Sequence, residues 1–176
     1  MFTKKVSARM LAVAGATALV LGATSGIQAA TDTANLSVTA TVTANCTITT
    51  SAVAFGAYDP IDVNSVTDRD NSGTLSVTCT DGASATVTLG QGASADTGST
   101  DADPTRRMSD GGTNFLGYSL FTDAGRSDEW GNTGVTGVAY VGTGASENLT
   151  VYGRIPAGQA VPAASYSDTV VATITF

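Results

Sequence analysis

The sequence predicts an all-β protein, on three observations. Residues Leu36 to Ile48 alternate without a break, Leu36, Val38, Ala40, Val42, Ala44, Cys46 and Ile48 on one side and Ser, Thr and Asn on the other. Strict period-two alternation rich in Val and Thr marks a half-buried strand. Shorter alternating segments recur down the chain between Gly, Asp, Asn and Pro clusters, the pattern of a sandwich or barrel. No window beyond residue 29 carries a convincing 3.6-residue period, so nothing argues for a helical layer.

Residues 1–29 precede that pattern and read as a secretory signal peptide. Lys4, Lys5 and Arg9 form a positive start, Met10 to Ala23 is apolar, and Ile27-Gln28-Ala29 offers a cleavage site after Ala29 or Ala30. The apolar run is too short for a transmembrane span. An exported mature chain carries five arginines against fifteen acids, a net charge of −10, which makes nucleic acid and anionic membrane poor partners. With both lysines in the leader, Lys-based isopeptide cross-links are excluded from the mature chain. Its length of about 147 residues fits one domain with a sizeable core.

The run from Leu36 to Ile48 is too long for one straight strand. At roughly 3.3 Å per residue it would span about 43 Å, against a domain diameter of roughly 35–40 Å. Either it bends through both sheets of one domain, or its first half belongs to another surface. Further on, Leu75-Ser76-Val77-Thr78-Cys79 alternates, as do Ala85-Val87-Leu89, Leu116-Tyr118-Leu120, Leu149-Val151-Gly153-Ile155 and the closing Val170-Ala172-Ile174-Phe176; Val135 to Val141 is a Gly-broken candidate. In the last of these, Val170, Ala172, Ile174 and Phe176 are expected to face the core. Gly90 to Pro104 is polar and low in complexity, and reads as an exposed, mobile loop.

Two cysteines, Cys46 and Cys79, read as a disulfide in an exported protein. Closing a loop of that size contributes roughly 3–4 kcal/mol in the chain-entropy model. No cofactor or metal is expected. The chain has no histidine, which removes Ser-His-Asp and Cys-His catalysis and leaves too few ligands for zinc. Asp68-Arg69-Asp70-Asn71-Ser72-Gly73 starts like a calcium loop, but its twelfth position is Cys79, so a solvated turn is the expectation. The carboxylate pairs Asp101/Asp103 and Asp128/Glu129 lack any spacing specific to glycoside hydrolysis.

Three features together resemble the spore coat U domain, the fold of subunits in archaic chaperone–usher pili. They are the early cysteine in Ala44-Asn45-Cys46-Thr47-Ile48, the second in Leu75 to Cys79, and the ending ASYSDTVVATITF over Ala164 to Phe176. Tyr118 to Arg126, YSLFTDAGR, resembles that family's middle segment. Ala164 departs from the glycine expected there. The resemblance implies an incomplete immunoglobulin-like β-sandwich of six strands, completed by a donor strand from a neighbouring subunit. It places a donor extension at residues 30–43, with Leu36, Val38, Ala40 and Val42 as knobs, and the sandwich at 44–176. It further implies that the strand through Val170, Ala172, Ile174 and Phe176 borders the open groove. A periplasmic chaperone would hold that strand until an outer-membrane usher exchanges it for the next subunit's extension. The implied product is a non-covalent surface fibre for adhesion and biofilm, without direct membrane insertion. A secreted coat or matrix protein of the same fold is the alternative.

Overall fold

The computed structural model describes Gly26 and residues 28–176, so the expected signal peptide lies almost wholly outside the described residues. The chain divides into a unit ending at Ala40 and a unit from Thr41 to Phe176. In the first, the described residues form no strand. Along the alternating run, Leu36, Val38 and Val42 are between 83% and 87% exposed. Regular pairing starts only at Cys46.

The second unit is built from eight strand segments in two sheets. They are β1 (Cys46–Ser51), β2 (Arg69–Cys79), β3 (Ser84–Leu89), β4 (Arg106–Ser109), β5 (Phe115–Phe121), β6 (Val138–Val141), β7 (Ser146–Ile155) and β8 (Ala172–Thr175). One sheet runs β1-β2-β7-β5-β4 and the other β6-β3-β8. Every registered pair is antiparallel. The count exceeds the six that the resemblance implied; β6 falls within the Gly-broken candidate Val135 to Val141, and only the four-residue β4 lies outside every alternating segment named from the sequence.

Alternation decides which side chains meet. On β2, Gly73, Leu75, Val77 and Cys79 are buried while Thr74, Ser76 and Thr78 are half-exposed. Val151 and Ile155 of β7, Leu116, Tyr118 and Leu120 of β5, and Ala85, Val87 and Leu89 of β3 complete one core with Trp130 and Tyr140. Both sheets therefore bury one face and wet the other, as antiparallel sheets do. The disulfide Cys46–Cys79 joins directly opposed residues at the end of the β1–β2 ladder.

Two expectations are corrected. The stretch Asp68 to Gly73 is not a turn: β2 begins at Arg69, because Asp70 stands opposite Arg154 on β7 and their charges pair across the ladder. A cross-strand ion pair supports pairing that polar composition alone argued against. Nor is Gly90 to Pro104 a loose loop. Asp168 accepts hydrogen bonds from the Ala93 and Ser94 amides, and Arg107 donates to the Ser94 and Ala95 carbonyls while pairing with Asp96 at 2.9 Å.

Candidate assembly groove

The two sheets do not close on each other along one side. β8 bonds only to β3 and β1 only to β2, so each presents a free edge. Between those edges runs a groove of about 1390 Å³. One lip is the segment Thr50 to Tyr58 that follows β1, and the other is Ala160 to Ala172, leading into β8. Leu75, Leu89, Leu116, Leu120, Val151 and Ile155 reach the floor from three of the five-stranded sheet's members and from β3. The floor is thus one face of the hydrophobic core, its six side chains 1–5% exposed.

The lips run in opposite directions. At one end of the groove side lie Cys46 and Cys79, with Val141 paired to Ser84 and Thr175 to Thr86, just before Phe176. At the other end Tyr58 donates to the Pro156 carbonyl and accepts from the Gln159 amide, bringing Pro60 and Ile61 beside Ala160 and Val161.

Small residues seat the first lip. A Cβ on Gly153 would come within 2.7 Å of both Phe55 Cζ and Val53 Cγ1, and one on Gly73 within 2.8 Å of the Ser51 carbonyl oxygen. The two glycines let the lip lie directly on β2 and β7, at the cost in strand propensity that glycine carries. Phe55 then meets the Tyr118 ring edge-on, centroids 6.2 Å apart.

The second lip is tied down by Asp168. Its carboxylate accepts from Tyr118 Oη at 2.7 Å and from the amides of Ala93 at 2.9 Å and Ser94 at 3.2 Å. Burial, with the Asp168 carboxylate as second cause, pushes the Tyr118 hydroxyl far above its ordinary value, so it remains a donor at any physiological pH. A Cβ at Gly92, where φ is +90°, would collide with Asp168 Oδ2. Below this lies Arg106, 1% exposed, whose guanidinium donates to the carbonyls of Gly90 (2.9 Å), Leu89 (3.0 Å) and Trp130 (2.7 Å). Trp130 Nε1 donates in turn to the Val87 carbonyl at 2.9 Å. Glu129 lies 3.6 Å from Arg106, yet burial outweighs that attraction and raises its carboxyl above the ordinary range. Sequence reading missed Arg106, Trp130 and Asp168 as a set. The available signals were a lone tryptophan and an arginine pair in an otherwise lysine-free, polar stretch.

The residues expected at the groove divide. Val170 and Ala172 line it, half-buried; Ile174 packs on the core further along. Phe176 is 55% exposed and stands outside the core, which corrects the expectation that it is buried there. The last paired residue is Thr175, and the terminal ring beyond it is more than half exposed. Asp101, one of the carboxylates paired in the sequence, is exposed and held below the ordinary range by hydrogen bonds from Gln91, then Asn132. Among the described residues no group of three or more His, Cys, Asp or Glu side chains is placed to hold a metal, and no helix is long and apolar enough to cross a membrane.

This geometry has relatives. Residues 32–173 match the model of the Spore Coat Protein U domain. The chain is 46% identical over 178 residues to "Protein U" of Myxococcus xanthus, covering 97% of this chain and 98% of that one. Among solved structures it is similar to a chain of the complex described as the CsuC–CsuE chaperone–tip adhesion subunit pre-assembly complex from archaic chaperone–usher Csu pili of Acinetobacter baumannii. That likeness has a TM-score of 0.55 at 21% identity, covering 77% of this chain and 40% of that chain. At that identity the structural likeness speaks for the fold, and this chain spans about two fifths of the solved one. The family match over most of the sequence carries the assignment: the chain belongs to the Spore Coat Protein U domain family.

Proposed function

We propose that this protein is an exported structural subunit whose copies join non-covalently by donor-strand exchange. The segment from Thr31 to Val42 of one copy lies in the groove of the next, with Leu36, Val38, Ala40 and Val42 directed at the floor. One observation carries the reading: the same chain holds an apolar-lined groove between two free strand edges and, elsewhere, an unpaired alternating segment with its apolar side chains in water. Each alone is an aggregation liability. Together they are complementary, because strand addition supplies main-chain hydrogen bonds while alternate side chains fill pockets. Burying Leu36, Val38 and Val42 contributes about 1.5–3 kcal/mol each before ordering costs.

The chaperone–usher route follows the same logic. A subunit with an open core needs a strand in its groove from the moment it folds. A periplasmic chaperone holding the lip at Val170 and Ala172, and the exposed Phe176, meets that need until an outer-membrane usher delivers the next subunit. The solved Csu complex, a chaperone with a tip adhesion subunit before assembly, supports this order of events. The product is a surface fibre serving adhesion and biofilm formation. A second reading is a coat component without ordered polymerisation, favoured by the family's own description and by the full-length relative named Protein U.

The test is deletion of Thr31 to Val42. The expected product folds, keeps its Cys46–Cys79 bridge, remains chaperone-bound and soluble, and fails to enter polymers. Loss of soluble subunit while wild type accumulates would make the run an internal strand and remove the mechanism. Heat-dissociable ladders of wild type on a gel support the fibre; monomer in every preparation favours the coat.

A further inference from the structure

We infer that Pro60 to Val66 is a second contact between consecutive copies, packing against the Cys46 end of the copy that donates its strand. The inference rests on the donor-strand reading and extends it from the groove to the bodies on either side.

The segment is a rigid display of apolar side chains in water. Ile61 and Val66 are 87% and 86% exposed, and Val63 is exposed as well. Their backbone is held from beneath. Asn64, 2% exposed, accepts from the Asp59 amide and donates to the Thr67 carbonyl, while its own carbonyl accepts from the Gly158 amide. The Asp59 carboxylate accepts from the amides of Ile61 and Asp62. Three aliphatic side chains fixed outward by a buried polar anchor are a preorganised contact.

The place of the segment names the occupant. All registered strand pairs in the sandwich are antiparallel, the slightly more stable arrangement per residue. An incoming strand antiparallel to β8 therefore ends at the start of the second lip, where Pro60 and Ile61 stand beside Ala160 and Val161. Between its last knob, Val42, and its own first paired residue, Cys46, only Thr43, Ala44 and Asn45 intervene. Those steps reach at most about 14 Å, so the donating body must sit against this end of the groove. Its Cys46 end carries Val141, 61% exposed, close to Phe176. Apolar side chains thus stand at both poles of the sandwich, as a head-to-tail contact that repeats without closing requires.

The test separates this contact from the groove. Full-length chains carrying Val38→Asp can accept a strand but not donate one, and their uptake of a synthetic peptide covering Thr31 to Asn45 reads the groove alone. Adding Val63→Ser and Val66→Ser, which lie outside the groove lining, is expected to leave that uptake within about twofold, as for exposed positions elsewhere. In chains with an intact donor segment, the same two changes are expected to speed dissociation of polymers by about tenfold, the effect of losing anchor residues. Val141→Ser is expected to act in the same direction and to add little to the double variant, since both remove one contact. Unchanged dissociation with normal peptide uptake overturns this inference and leaves donor-strand exchange standing. No peptide uptake overturns both.

Discussion

Arg106 shows how much one side chain can decide here. Its guanidinium satisfies three carbonyls from β3, the following turn and the Trp130 loop, positions that no sheet hydrogen bond reaches. Arg106→Ala is expected to cost about 3–5 kcal/mol, measured by denaturant unfolding, because it orphans those buried acceptors and removes the cation beside the half-buried Glu129. Gly153→Ala should cost about 1–3 kcal/mol, since its methyl would enter the Phe55 and Val53 seat and force the first lip outward. The exposed pair behaves differently. Asp70 is held below the ordinary carboxylate range by its hydrogen bond from Arg154, with Arg126 also attracting it. A lowered carboxylate stabilises above its unfolded value and loses that contribution as pH falls through the folded one. Thermal melts of Asp70→Asn and wild type should therefore differ near neutral pH and converge below about pH 3, by well under 1 kcal/mol at an exposed site.

The strands were legible where burial alternates and illegible where charge or brevity hid it. Leu75 to Cys79, Ala85 to Leu89 and Leu149 to Ile155 lie in β2, β3 and β7 as the pattern implied. The first half of β2 was hidden because its outward side chains are ions whose partners lie on β7, 84 residues away. β4 was hidden because Arg106 reads as surface and is buried. In the candidate site, the alternation of Leu36 to Val42 and of the β8 lip could be read from periodicity, while the donor role came only from the family resemblance. The clamp of Asp168, Tyr118 and the Ala93–Ser94 amides could not, since it joins three distant stretches through main-chain donors that have no residue signature. At this scale Cys46→Ser is expected to lower stability by roughly 3–4 kcal/mol, checked by unfolding and by subunit yield in an oxidising compartment. Phe176→Ala should cost the isolated unit under about 1 kcal/mol, because the ring is already in water; a larger loss in the chaperone-bound form would locate its partner there.

Across the whole molecule, the donor-strand reading makes stability and assembly one quantity. The groove exists only when both sheets are in place, so whatever fills it binds the folded state alone. Saturating Val38→Asp chains with the Thr31–Asn45 peptide at about 100 times its Kd should raise unfolding free energy by roughly 2.7 kcal/mol. No rise in melting temperature would mean that the groove is not a strand-binding site. With no lysine beyond residue 5, the proposed links between copies include no Lys-based isopeptide bond.

The position of the disulfide has a mechanical meaning. Tension along a string of such subunits would enter each one through the chain just before Cys46, and Cys46 is bonded covalently to Cys79 in the interior of the five-stranded sheet. The load bypasses β1 and the 33-residue separation between the cysteines, and passes straight to the longest ladder of the fold, β2 on β7. Pulled by its ends, a reduced subunit should release roughly 75–80 Å more chain, from Cys46 to the start of β2, than an oxidised one before that ladder is strained. The bond is thus a short circuit for force, set at the point where a neighbour would pull.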